Sequence, residues 1–441
     1  MIVRDAKILM IGWEYPPNIT GGLGVACKEI ARNIASMGYK VDFIVPRLHG
    51  NEEEIDGIRL LDIRKGWDLL GIDEKEELIR ENEMILESLP ERLMFSPYFS
   101  PGKTEGWSKR ITRSSIYTEE GVEVPELSEQ IPEISGGYGP DLFYDIRKFA
   151  KIISLLGEKL RPDLIHAHDW MTFIAANELK QRRNIPIILH VHATEFDRCG
   201  ENGNDEIKRI EREGFESADR IVSVSEYTKS IIRERYGIDE NKIYVAHNGI
   251  SSLEKEEENS QENNITDPIV LFLGRITHQK GPDYFIRAAA KIVREIPDVK
   301  FVMAGSGDLQ NRMIELAADL GLGGYFHYTG YLNEEKTHRL YNMCSVFIMP
   351  SVSEPFGLTA LEAMSHKRPV VLSKQSGVSE IVNQCLKFDF WDTDSLAEKT
   401  ISILKYGPLR EEIGNQARAE SERINWTATA KKIANVYRSF L

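Results

Sequence analysis

The sequence predicts an α/β protein made of two open parallel-sheet domains that face each other across a cleft. Three observations carry that prediction. Short apolar runs alternate with helical patterns along the chain, as parallel strands covered on both faces require. At 441 residues the chain exceeds what a single hydrophobic core usually serves. The acidic, polar stretch 251–267, SSLEKEEENSQENNITD, has almost nothing to bury and interrupts the alternation as a solvated connector would.

In the first half, strands are expected at Lys7–Gly12, Val41–Pro46, Leu164–Ala167, Ile187–His190, Arg220–Val224 and Lys242–Ala246. The helix after the first strand carries Cys27, Ile30, Ala31, Ile34 and Met37, a buried stripe at helical spacing. After the connector the alternation resumes with Ile269–Gly274, Lys300–Ala304, Phe326–Thr329, Val346–Met349 and Pro369–Ser373. The segment from about 63 to 140 holds a charged helical stretch near 73–88 and then Pro-, Gly- and aromatic-rich sequence; it is expected to be an insertion in the first domain. The expected domains are 1–250 and 268–424, joined by 251–267.

Composition excludes several function classes. Against 55 basic residues stand 69 acidic ones, a net charge of −14 that disfavours nucleic acid and anionic membrane. The four cysteines, Cys27, Cys199, Cys344 and Cys385, are scattered without a CxxC pair, the usage of a reducing cytoplasm. The N-terminal apolar run is too short for a signal peptide, and no stretch approaches the roughly 18 apolar residues of a membrane span. A cytoplasmic location is expected.

In open α/β domains ligands bind at the carboxyl ends of the strands, and the chemistry-bearing residues lie there. After the first strand, Pro16-Pro-Asn-Ile-Thr-Gly-Gly-Leu-Gly24 leads into a helix. Gly21 and Gly22 would let a ligand approach the backbone, with free helix N–H groups beyond, although an ordinary turn has the same composition. Neither GxGxxG nor GxxxxGK occurs, which argues against dinucleotide and P-loop sites. After the first strand of the second half, Arg275 and Lys280 in Gly274-Arg-Ile-Thr-His-Gln-Lys-Gly281 offer a donor fork and a point charge for a diphosphate.

Ser353-Glu-Pro-Phe-Gly-Leu-Thr-Ala-Leu-Glu362 places two carboxylates around a strand-to-helix turn. The N–H groups of Gly357, Leu358 and Thr359 would face a ligand, with the helix dipole behind them. Glu362 suits vicinal hydroxyls such as those of a ribose, and Glu354 those of a sugar, because an ionised carboxylate only accepts. First-turn helix electrostatics would account for Glu362 but not for Glu354, which precedes the helix. His166 and His168 end one strand on a common face, and His190 and His192 end the next. Histidine pairs raise a metal-hydrolase alternative, but HExxH is absent and no metal site is expected. Asp392-Thr-Asp394 is expected to cap a helix opening at Ser395.

Together RITHQKG (275–281), HAHDW (166–170), the Gly-Gly-Leu turn (21–23) and EPFGLTALE (354–362) resemble retaining glycosyltransferases of the glycogen and starch synthase family, and the neighbouring family of sucrose synthase-like enzymes. The resemblance covers most of the chain and is weakest over about 50–140. It implies the GT-B fold of two Rossmann-like domains, with a final helix at 425–441 that crosses back to the first domain. It also implies an ADP- or UDP-glucose donor as substrate, an α-1,4-glucan acceptor, no cofactor and retention of configuration. By the same resemblance Arg275 and Lys280 meet the diphosphate and Glu362 the ribose. Glu354, His168 and Asp169 lie by the transferred sugar, and Gly21, Gly22, Gly357, Leu358 and Thr359 line the substrate. Bacterial members usually carry lysine two residues before the first paired glycine. Here that residue is Ile19, which leaves the donor base open and keeps a small sugar acceptor as the alternative.

Overall fold

Mostly apolar runs, buried along nearly all of their length, form the central strands. The first sheet comprises β1 (Lys7–Ile11), β2 (Lys40–Ile44), β3 (Ile58–Leu61), β4 (Leu164–His168), β5 (Ile187–Val191), β6 (Arg220–Ser223) and β7 (Ile243–Val245). The second comprises β8 (Ile269–Leu273), β9 (Lys300–Ala304), β10 (Phe326–Gly330), β11 (Val346–Met349), β12 (Val370–Ser373) and β13 (Leu386–Phe388). These come from a computed structural model that describes residues 5–19, 21–78, 134–139, 141–251 and 267–441. Most of the expected insertion, the helical stretch beyond residue 78 and nearly all of the acidic connector lie outside the described residues.

The two sheets share one topology. Their orders are β3-β2-β1-β4-β5-β6-β7 and β10-β9-β8-β11-β12-β13. In each, the chain steps outward from the first strand, then returns to that strand's other side, so the order reverses at β1/β4 and at β8/β11. Parallel pairing at these points is direct, with Met10 opposite His166 and Phe347 opposite Leu271. A reversal splays the flanking loops apart and leaves a crevice at the strands' carboxyl ends.

The expected strands formed, most with ends displaced by a residue or two. Two strands were missed: β3 and β13, the short outer strands of the sheets, with burial too partial to give a continuous apolar run. In the helix α1 (Gly22–Ser36) the predicted stripe of Cys27, Ile30, Ala31 and Ile34 is buried, but Met37 is its half-buried C-cap. Asp392 caps its helix through Ser395 N–H at 2.9 Å, as expected, although the helix starts two residues earlier, at Thr393.

The chain divides into two compact units, Met1–Leu189 with Ser217–Asp219 and Phe440–Leu441, and His190–Glu216 with Arg220–Ser439. In the first, the long helix Leu142–Leu160 buries Phe143, Ile146, Phe149 and Ile153 and packs along Trp170–Arg183. In the second, one apolar layer includes Val270, Phe285, Phe301 and Ile348, and another includes Leu271, Phe347, Leu361 and Leu372. The last helix, Trp426–Tyr437, lies against residues 247–250: Thr429 Oγ1 donates to the His247 carbonyl at 2.6 Å. Among the described residues no helix is long and apolar enough to cross a membrane.

Candidate active site

In the second unit the site is built by the loops after β8 and β11. The β8 loop closes in a single turn, His278–Lys280, and is fastened to the β11 loop by the Val352 N–H, which donates to the Gln279 carbonyl at 2.9 Å. Gly281 lets the two backbones touch. Its φ is +64°, and a Cβ there would stand 2.1 Å from the Pro350 carbonyl oxygen. That close approach delivers Lys280 Nζ to 2.5 Å from Glu354 Oε2, where Ser351 Oγ also donates at 3.1 Å. Glu354 is buried and Lys280 is half-buried, so their attraction is less screened than on a surface. The sequence assigned these two groups to separate tasks; the fold joins them as an ion pair. Arg275 is exposed on the same loop, with no ion pair or hydrogen bond from its side chain among the described residues.

Past β11 the chain turns at Gly357 (φ +110°) into α2 (Leu358–Ser365). The N–H groups of the first turn have no partner within the helix, which leaves those of Leu358 and Thr359 available at the positive end of its dipole. Glu362, one turn on, is half-buried and accepts from the Tyr341 hydroxyl at 2.9 Å. Burial pushes its carboxyl above the usual range, and the Tyr341 hydrogen bond opposes that rise. Arg275, Lys280, Glu354, Gly357, Leu358, Thr359 and Glu362 thus all lie at or just beyond the carboxyl ends of β8 and β11.

Sequence reasoning missed a polar set beside Glu354. Ser353 Oγ donates to Asp197 Oδ1 at 2.7 Å, the Tyr227 hydroxyl donates to Ser353 Oγ at 3.0 Å, and Ser225 Oγ donates to the Pro355 carbonyl at 2.6 Å. Asp197 belongs to a capping box with Thr194, opening the helix Glu195–Cys199. Burial pushes its carboxyl up while the hydrogen bonds from Thr194 and Ser353 pull it down. The Thr194-x-x-Asp197 pattern directly after a strand was the available signal.

Behind this helix, Glu211 accepts the Glu195 N–H at 2.9 Å and the Tyr236 hydroxyl. Burial pushes the Glu211 carboxyl up to about 8 from 4.5. A raised folded-state value favours the protonated form, so its stabilising contribution is complete below about pH 4.5 and is lost as pH rises to about 8. Glu211→Gln is therefore expected to flatten the fall in melting temperature across that window. Thermal melts at stepped pH check this, and parallel wild-type and variant profiles contradict it.

In the first unit, Gly21 and Gly22 begin α1 beyond β1, while His168 ends β4 and Asp169 follows it at the N-cap of the helix Trp170–Arg183. The helix N-terminus is less open to an anion than the sequence indicated. Glu14, buried, already accepts the Gly24 N–H at 3.2 Å and the Tyr138 hydroxyl at 3.4 Å. Ile19 packs against Gly24, where a Cβ would stand 2.3 Å from Ile19 Cγ2. Beneath them the Cys27 thiol is pushed up by burial and by the Asp169 and Glu14 carboxylates. His168 is fully buried beside His166, ring centroids 4.3 Å apart. Asp169 adopts φ 59° and ψ 165°, a backbone region that glycine alone occupies readily. In the second unit His190 and His192 stack at 4.4 Å, and burial lowers His192 to about 3, which holds it neutral.

Residues 254–420 match the family Glycosyl transferases group 1, and residues 106–252 match Glycosyltransferase Family 4. The chain is 29% identical to an uncharacterised glycosyltransferase of Methanocaldococcus jannaschii, over 98% of each chain. It is 24% identical to the glycogen synthase of Mycobacterium tuberculosis, over 98% of this chain and 94% of that one. Its structure is similar to sucrose-phosphate synthase from Thermosynechococcus elongatus, with a TM-score of 0.71 at 19% identity, covering 98% of each. Twin parallel sheets with matching reversals, polar groups gathered at those reversals and these two matches make the chain a glycosyltransferase with the GT-B fold, in which residues 254–420 match the group 1 family.

Proposed function

We propose that the protein transfers glucose, with retention of configuration, from ADP- or UDP-glucose to the non-reducing end of an α-1,4-glucan. The observation that carries this reading is the Lys280–Glu354 ion pair beside exposed Arg275, at the strand reversal of the second sheet. In this reading the domain at 268–424 holds the donor. Arg275 clamps the diphosphate and Lys280 supplies a point charge beside it, stabilising the negative charge that grows as the glycosidic bond to phosphate breaks. The N–H groups of Leu358 and Thr359 add the positive end of a helix dipole. Glu354 takes hydroxyl hydrogen bonds from the glucose, and Glu362 takes them from the ribose. His168 and Asp169, with Gly21 and Gly22, serve the sugar from the domain at 1–250.

A glucan acceptor is supported by the glycogen synthase relative, which aligns over nearly the whole chain. Glu14 and Ile19 at the glycine turn favour a neutral, hydroxyl-rich acceptor, because a buried carboxylate and an aliphatic side chain offer nothing to an acceptor phosphate. The test is incubation with glycogen and radiolabelled ADP-glucose or UDP-glucose in parallel. Label is expected in polymer and should be released by an α-1,4-glucosidase. Label confined to a low-mass sugar product would overturn the glucan reading in favour of a small acceptor.

A further inference from the structure

The carboxylate of Glu362 is held from behind by a buried phenol. Tyr341 lies on the helix Glu334–Met343 with 1% of its surface exposed. Its hydroxyl is shared between Glu362 Oε2 at 2.9 Å and the Thr359 carbonyl at 3.1 Å. The ring is fixed on two sides, edge-on to Phe347 of β11 at 5.9 Å and tilted on His366 at 5.1 Å. His366 Nδ1 is 2.7 Å from the Glu362 carbonyl oxygen, and its Nε2 is 3.0 Å from His338 Nδ1. Both the side chain and the main chain of Glu362 are therefore anchored, by groups that do not themselves line the loops after β8 and β11.

We propose that Tyr341 is a positioning residue that orients the Glu362 carboxylate toward the two ribose hydroxyls of the nucleotide donor, and so sets the preference for a ribose. This rests on the reading of Glu362 given above. A glutamate on a helix surface samples many rotamers, and freezing them on binding costs affinity. Here one oxygen is engaged in advance, so the carboxylate meets the ligand already ordered, with its second oxygen and remaining lone pairs directed by the first. The phenol touches no substrate; it acts through Glu362.

The experiment is calorimetric titration of the full chain with UDP or ADP, whichever wild type binds more tightly, and with the matching 2′,3′-dideoxynucleotide. Wild type, Tyr341→Phe and Glu362→Gln are compared. Phenylalanine keeps the packing on Phe347 and His366, and dideoxynucleotide affinity reports whether the site is still formed. The expected result is a ribose preference cut about tenfold in Tyr341→Phe, the size of one lost hydrogen bond to a charged group. Dideoxynucleotide affinity should stay within about twofold, and the donor KM should rise while kcat is held. Equal weakening toward both nucleotides would mean a merely structural role and would overturn the proposal. Loss of preference in Glu362→Gln with full preference in Tyr341→Phe would overturn it too, while leaving Glu362 at the ribose. Full preference in both variants would overturn the assignment of Glu362 itself.

Discussion

Lys280→Ala is expected to lower kcat/KM by about 10² to 10³, the usual cost of removing one pre-placed positive group from a developing anion. The Lys280 ammonium is held 2.5 Å from Glu354 by the turn at His278–Lys280, so it is ordered before any ligand arrives and loses little freedom on binding. Its removal has a second effect that kinetics alone would miss. Glu354 keeps the Ser351 hydrogen bond but loses its counter-charge inside the protein, so the melting temperature should fall as well. Arg275→Ala provides the contrast. The guanidinium is exposed and unpaired among the described residues, so activity should fall by a comparable factor with stability changed by no more than about 0.5 kcal/mol. Steady-state kinetics and thermal melts on both variants check the pair of expectations. Near-normal turnover in both would remove these residues from the chemistry.

Glu354→Ala is expected to cost about 10² in kcat/KM, because a site shaped to hydrogen-bond hydroxyls binds them poorly once the acceptor is gone. The same substitution frees Lys280 from its partner, so the two changes share one interaction and their effects should not add. The double variant Lys280→Ala/Glu354→Ala is expected to lose about as much activity as Lys280→Ala alone, and to melt higher than that single variant. Strict additivity of the two losses, in activity and in stability, would show that the ion pair has no functional meaning.

Which features the sequence disclosed follows from the range of the interactions involved. The strands at Lys300–Ala304 and Val346–Met349 were legible to the residue because both are buried along their length, and burial is what an apolar run records. β3 and β13 were not, since each spans only three or four residues and a charged one, Arg59 or Lys387, interrupts its apolar run. The candidate residues were legible only as residue types, and the fold places them at strand ends, where topology concentrates ligand contacts in open α/β sheets. Their partners were not. Lys280 meets Glu354 across 74 positions, and Ser353 meets Asp197 across 156, distances over which no local pattern carries information. The same holds for Glu14, whose hold on the Gly24 N–H closes part of a helix terminus that composition alone left open.

The proposed function is electrostatic at root: in it Arg275 and the ammonium paired with Glu354 grip the donor's diphosphate. A crystal structure of the protein soaked with UDP or ADP tests it most directly. Phosphate oxygens are expected within about 3 Å of the Arg275 guanidinium and of Lys280 Nζ, the ordinary range of charge-assisted hydrogen bonds. Ribose hydroxyls are expected on Glu362. A diphosphate bound well away from residues 275 and 280, with the Lys280–Glu354 pair untouched, would contradict the proposed function.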